Sequence, residues 1–197
     1  MPLYFGKCHK RDQKKMIFEP TKIFGVQKIT LPRHCDERGS FGRIFDQGCL
    51  LENGISCDFI QTSISRTSYA GTLRGLHFQR PPYAEAKLVH CLRGEIYDVI
   101  CDLRPDSPTY LLYESFYLSF SSNEMVYIPP GCAHGFMTLN DDVEVLYAMS
   151  SIYMQSHASG VRYNDPRLGI SWPRPVTYIS EKDLNWPCYE TKNATIP

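Results

Sequence analysis

The sequence predicts an all-β protein, built as an antiparallel barrel or double-sheet jelly roll. Three observations carry that prediction. Short runs rich in Val, Ile, Tyr and Phe recur along the chain, as half-buried strands require. Gly, Pro, Asn and Asp punctuate them at close intervals, as turns between antiparallel strands do. Apolar spacing at i, i+3, i+4 persists for no more than about two turns anywhere, so long amphipathic helices are not expected.

Taken in order, residues 1–15 are polar, basic and without pattern, and read as a disordered extension. Met16-Ile17-Phe18 reads as the natural start of the folded part, so residues 16–197 are expected to form one domain. The clearest strand candidates are Lys87 to Leu92, Glu95 to Leu103, Tyr110 to Phe120, Met125 to Ile128 and Val143 to Ser150. Arg93-Gly94, Pro105-Asp106-Ser107-Pro108 and Leu139-Asn140-Asp141-Asp142 supply turns beside them. From Asn164 onward the chain holds five prolines and both tryptophans, Trp172 and Trp186. Proline cannot donate to a β-ladder, so this segment is expected to pack on the barrel as a flap of short helical or irregular structure.

Composition narrows the function. The 197 residues carry 21 basic and 21 acidic side chains, which argues against a nucleic-acid binder. The balance is uneven. Residues 1–15 hold five bases and one acid, which leaves the remainder mildly acidic. No apolar run reaches the ~18–20 residues of a membrane-spanning helix. Met1 to Lys15 lacks the apolar core of a secretory signal, so a cytoplasmic location with no membrane partner is expected. The eight cysteines, Cys8, Cys35, Cys49, Cys57, Cys91, Cys101, Cys132 and Cys188, form no CxxC pair and are expected to be reduced, mostly as small core hydrophobes.

Chemistry-bearing side chains concentrate in three places. One is Gly71-Thr72-Leu73-Arg74-Gly75-Leu76-His77-Phe78-Gln79, with Lys87 ten residues after His77. The second runs from Tyr127 to Phe136 and contains His134. The third is Glu144-Val145-Leu146-Tyr147, where alternation puts Val143, Val145, Tyr147 and Met149 on one face and so points Tyr147 into the barrel. Singly, each has an ordinary structural explanation: a hydrogen-bonded His, a core Tyr, a solvated Lys, an ion-paired Arg. The readings rise together only if the fold brings them to one cavity. A metal is not expected. None of the six histidines forms HxH, Gln79 stands where the second would fall, and a transition-metal site needs three or four well-placed ligands.

The order and spacing of these motifs resemble the RmlC-type family, the dTDP-4-dehydrorhamnose 3,5-epimerases, which are cupins. The resemblance runs from about Met16 to Pro187 through Asp36-Glu37-Arg38-Gly39-Ser40-Phe41, the Arg74 to Gln79 stretch, Ala86-Lys87-Leu88-Val89, Asp102-Leu103-Arg104-Pro105, Pro129-Pro130-Gly131, Ala133-His134-Gly135-Phe136, Asn164-Asp165-Pro166, Trp172-Pro173 and Ser180-Glu181-Lys182-Asp183. It implies a cupin jelly-roll barrel and an isomerase that inverts C3, C5 or both in a nucleotide-linked 4-keto-6-deoxyhexose, within dTDP-rhamnose and cell-surface polysaccharide biosynthesis. His77 matches the general base, Asp183 the carboxylate that orients it, Tyr147 the acid on the opposite face of the sugar, and Lys87 the cation near the C4 oxygen. Arg74 and Arg38 match diphosphate contacts, Arg38 reaching in from a partner subunit. Gln61, His134 and Lys182 match further substrate contacts, and Ser63 stands at the position of another. No metal or other cofactor is implied. A homodimer with strands exchanged from within residues 20–60 is.

The roles suit the residue types. Protons beside a ketone are acidic because the resulting anion delocalises onto the carbonyl oxygen. An imidazole titrates near neutral pH and can take such a proton. A phenol is a neutral donor and can return one. An ammonium beside the enolate oxygen stabilises the developing charge. The chain departs from the family pattern at Ser63, Arg43, Ala158, Glu85-Ala86 and His90, so the proton-transfer set is kept while the residues around nucleotide and sugar hydroxyls differ. A CDP- or GDP-linked sugar and inversion at one carbon are the near alternatives. A metal-dependent cupin oxygenase and a non-catalytic sugar-nucleotide-binding module are the distant ones.

Overall fold

The computed structural model describes residues 14–56 and 58–189. The expected basic extension therefore lies outside the described residues except for its last two positions, as do Cys8 and Cys57. The elements in chain order are β1 (Ile17–Pro20), β2 (Gln27–Thr30), β3 (His34–Asp36), β4 (Gly39–Phe41), α1 (Gln47–Glu52), β5 (Gln61–Thr67), β6 (Thr72–Gln79) and β7 (Lys87–Arg93). There follow β8 (Glu95–Asp102), β9 (Tyr113–Ser119), β10 (Glu124–Ile128), β11 (Cys132–Thr138), β12 (Val143–Met149), β13 (Ala158–Gly160), β14 (Tyr178–Ile179) and α2 (Glu181–Leu184).

Two sheets face each other as a jelly roll. The first has strand order β1-β2-β10-β7-β12-β5, and the second β13-β6-β11-β8-β9, with β14 added to β6. Apolar residues from both sheets meet between them, among them Val89, Cys91, Val126, Val143 and Val145 from the first and Ile96, Ile100, Leu118 and Phe136 from the second. A second core covers the outer face of the second sheet, where Leu73, Tyr97, Val99 and Met137 receive Leu168, Trp172 and Tyr189 of the C-terminal segment. A third lies outside the first sheet, where Leu88, Met125 and Ala148 pack under Leu50 of α1 and Ile55. Strands β8 and β11 are central and covered on both faces, so their residues are buried throughout apart from Glu95.

The expected strands fall close to those observed, with one instructive shift. The run from Tyr110 begins as β9 only at Tyr113, because Ser107 to Leu112 is taken up by successive turns and Leu111 is left-handed at φ +63°. The C-terminal segment supplies two residues of parallel pairing at the edge of β6 and the short α2, and places Trp172 against the barrel with its indole N–H donated to the Tyr163 carbonyl. Among the described residues the thiol expectation needs correcting at one position. Cys35 is disulfide-bonded; it sits half-buried on the β3–β4 hairpin, outside all three cores, and so is not packed as a small core hydrophobe. Cys49, Cys91, Cys101, Cys132 and Cys188 are free, three of them buried. Among the described residues no helix is long and apolar enough to cross a membrane.

Candidate active site

Beyond Val89 and Val145 the inter-sheet core gives way to a cavity of about 310 Å³. The first sheet contributes Lys87, Tyr147 and Met149 to its wall, the second Arg74, His77, His134 and Phe136. Lys182, Asp183 and Trp186 close it from α2 and the residues after it. The alternation expected for β12 is thus realised: Val143 and Val145 fill the core, and Tyr147 and Met149 continue the same face into the cavity.

Strict alternation would have sent Arg74 and His77, three residues apart, to opposite faces. The ladder with β11 shows why they share one. His77 stands opposite His134, and Arg74 opposite Phe136, so three steps on β6 match two on β11. The extra residue is a bulge of the kind that re-aims side chains beside functional sites. It occurs at Gly75, where φ is +129° and an added Cβ would lie 2.5 Å from the Gly135 Cα. Gly75 is therefore a packed, buried strand residue rather than a flexible joint, and only glycine fits it.

The same bulge anchors the dyad. His77 Nε2 lies 2.6 Å from Asp183 Oδ1. The Gly75 N–H donates to Asp183 Oδ2 at 3.3 Å, and the Trp186 indole N–H to Oδ1 at 3.2 Å. Ser180 caps α2 by accepting from the Asp183 N–H. Burial opposes ionisation of Asp183, but the bonds from His77, Gly75 and Trp186 outweigh it and hold the carboxyl below its ordinary value. An ionised carboxylate only accepts, so Nε2 of His77 carries the hydrogen and Nδ1 is left with the lone pair. Trp186 lies flat over Gly160, whose missing side chain leaves the room: a Cβ there would fall 2.4 Å from the indole.

The other site residues differ in how they are held. His134 Nε2 lies 2.7 Å from Oδ1 of the fully buried Asp98, a second dyad on the neighbouring strand. The Lys87 ammonium meets Glu85 Oε1 at 3.0 Å and the His77 carbonyl at 3.2 Å. Arg74 reaches the β5 edge, donating from Nε to Thr67 Oγ1 and from Nη2 to the Arg66 carbonyl. Gln61 lines the cavity, but its Oε1 accepts from the Tyr153 N–H. Lys182 sits 5.4 Å over the Trp186 ring.

Two expected residues are not brought to the cavity of this chain. Ser63 pairs with Tyr147 in the ladder but is exposed on the edge strand, outside the wall. Arg38 lies in the turn of the β3–β4 hairpin, its side chain 90% exposed and bound to Asp36. Among the described residues no three His, Cys, Asp or Glu converge on a metal-sized site. Gln79 is spent on backbone groups of Tyr83, Ile152 and Met154.

The comparisons with known proteins agree with this architecture. The family model described as dTDP-4-dehydrorhamnose 3,5-epimerase matches residues 20–191. The chain belongs to that family. The dTDP-4-dehydrorhamnose 3,5-epimerase of Methanothermobacter thermautotrophicus is 41% identical, across 86% of this chain and 92% of its own. The solved structure of the Bacillus anthracis dTDP-4-dehydrorhamnose 3,5-epimerase, with TDP and PPi bound, superimposes with a TM-score of 0.86 at 37% identity, covering 88% of this chain and 99% of that one. A Streptomyces niveus relative named dTDP-4-dehydrorhamnose 3-epimerase is 36% identical over 85% of this chain and 81% of its own. The family to which the chain belongs is thus one of isomerases, and it contains both double and single epimerases.

Within this epimerase scaffold, sequence reasoning gave no site role to Glu85, noted only as a departure from the family pattern, to Trp186, read only as part of the covering segment, or to Asp98. Glu85 had a signal, since it stands two residues before Lys87 and so shares its side of the chain. Asp98 and Trp186 had none. Their partners are 36 and three residues away, and only the fold shows that each touches a dyad.

Proposed function

We propose that this chain epimerises a dTDP-linked 4-keto-6-deoxyhexose, converting dTDP-4-dehydro-6-deoxy-D-glucose towards dTDP-4-dehydro-L-rhamnose through an enolate. One observation carries the reading: a histidine on one sheet, paired with a carboxylate from α2, shares a cavity with a tyrosine and a lysine of the facing sheet. His77 takes the proton beside the ketone, using the lone pair that Asp183 leaves on Nδ1. Lys87 faces the C4 oxygen and stabilises the enolate, an effect worth ~3–4 kcal/mol in comparable sites. Tyr147 returns a proton from the other wall. Arg74 pairs with the diphosphate through its planar fork. Gln61, Lys182 and His134 line the sugar and nucleotide path.

The catalytic unit is residues 16–197, a homodimer acting in the cytoplasm. Arg38 reaches the partner's diphosphate, and strands exchange from within residues 20–60. The exposed Phe41, Ile44, Phe45, Ile60 and Ile64 support an interface on that side, and β5 offers a free edge there. A monomer at micromolar concentration, seen by light scattering, would contradict the assembly.

The test is solvent exchange. Incubation with the dTDP-4-keto sugar in D₂O is expected to place deuterium at C3, C5 or both. His77→Ala abolishes exchange at both carbons, whereas Tyr147→Phe retains exchange but fails to complete inversion. No exchange with dTDP-, CDP- or GDP-linked 4-keto sugars would sink the reading. The 3-epimerase relative supports a second form of it, inversion at C3 alone, and deuterium confined to C3 would select that form.

A further inference from the structure

Glu85 is used by no step above, yet it is among the most constrained groups of the cavity. Its side chain is 7% exposed and lines the wall. One oxygen, Oε1, binds the Lys87 ammonium. The other, Oε2, is buried with no hydrogen-bond partner. A carboxylate is an acceptor only, and a buried acceptor left without a donor is costly. Three donors of the same wall are spoken for: Lys87 spends two of its three protons on Glu85 Oε1 and the His77 carbonyl and, in the reading above, the third on the C4 oxygen, Gln79 bonds backbone carbonyls, and Trp186 bonds Asp183. No protein group meets Oε2, so a hydroxyl donated by a bound ligand would satisfy it.

We infer that Glu85 Oε2 accepts a hydrogen bond from the sugar hydroxyl on the carbon adjoining the ketone, the C3 hydroxyl, and so makes that hydroxyl a requirement of the substrate. The inference rests on the epimerase reading, in which Lys87 faces the C4 oxygen. Ketone oxygen, ammonium and Glu85 carboxylate then follow one another along the wall. The sugar group beside that oxygen able to donate is the C3 hydroxyl, because the C5 side carries a ring oxygen and a methyl group. The bond fixes the rotation of the ring in the cavity, and with it which C–H bond faces His77. A site built to bond a hydroxyl rejects an analogue lacking it, because its own polar group is then stranded.

The test compares three nucleotide sugars on the intact protein: the dTDP-4-keto-6-deoxy sugar, its 3-deoxy analogue and its 2-deoxy analogue. Deuterium uptake beside the ketone, at C5 or at C3, is readable in all three. The wild-type kcat/KM is expected to fall ~100-fold or more for the 3-deoxy analogue and less than about tenfold for the 2-deoxy one. Glu85→Gln, which keeps shape but weakens the acceptor, is expected to shrink the 3-deoxy penalty about tenfold. A ratio of substrates on one preparation does not depend on the fraction folded. An unchanged penalty in Glu85→Gln, or an equal change with every substrate, would make Glu85 only a counter-ion for Lys87 and overturn the inference. A larger penalty for the 2-deoxy analogue would overturn the assignment to C3. Absence of exchange by the wild type with the full substrate overturns the epimerase reading itself, and the inference with it.

Discussion

Asp183 shows how much one side chain can carry. It receives hydrogen bonds from an imidazole, an indole and a backbone amide, and each of them favours its ionised form. Replacing it with Asn would let the side chain donate as well as accept, and the His77 tautomer would no longer be specified. Asp183→Asn is expected to lower kcat for exchange by ~10²–10⁴-fold with KM changed far less; steady-state kinetics in D₂O would check it. The cysteines make the opposite case, of reactive groups silenced by position. Burial pushes the Cys91 thiol up to about 11 and the Cys132 thiol to about 12, and raises Cys101 further still. At pH 8 these three are almost wholly un-ionised and enclosed. Iodoacetamide followed by peptide mass analysis is expected to label the exposed Cys188 well ahead of them. The proposed acid, base and cation were named from the family resemblance, on residue types that suit proton transfer beside a ketone: His77 with its carboxylate, Tyr147 and Lys87. The nearness of Glu85 to Lys87 was legible from their spacing, but its unmet oxygen and the bond from Trp186 to Asp183 were not, since both depend on which atom of a neighbour they meet.

At the scale of elements, β6 decides the site. Its bulge at Gly75 turns Arg74 and His77 to one side and offers the amide that binds Asp183. Gly75→Ala would force a Cβ onto the Gly135 backbone in a conformation that alanine avoids. It is expected to destabilise the fold by more than about 2 kcal/mol, measured by urea unfolding. Gly160→Ala acts on a different element, pushing Trp186 off its seat and loosening the cover over the dyad. Strands β7, β8, β10 and β12 were legible because each is apolar on at least one face. Strand β5, reading Gln61-Thr62-Ser63-Ile64-Ser65-Arg66-Thr67, was not. It is a polar edge strand whose membership of the sheet is settled by pairing with β12.

The whole molecule is a pair of sheets held by three apolar layers and a few buried charges. Asp102 is fully buried at the end of β8. Burial would raise its pKa, but bonds from Arg104, Ser107 and Thr109 outweigh that and hold it below the ordinary carboxylate value. Asp183 is depressed in the same way. Both groups bind a proton less readily folded than unfolded, so their contribution is complete above pH ~4 and is lost as pH falls through their depressed values. The urea midpoint is expected to fall between pH 5 and pH 2.5. Asp102→Asn should start lower, by roughly 1–3 kcal/mol at pH 7, and lose less on acidification. The sequence by itself determined that the chain is all-β and that its C-terminal segment lies outside the sheet interior, and the resemblance of its motifs supplied the proposed acid, base and cation. Those properties follow from composition, turn residues and motif spacing, which are local. Only the tertiary structure decided that Arg74 and His77 face the same way, that Asp183 closes on His77 from 106 residues away, and that Glu85 neutralises Lys87 while leaving one oxygen unmet. Each of these is set by a ladder register or a long-range contact, and the period of a strand read from sequence cannot show where an extra residue shifts that register.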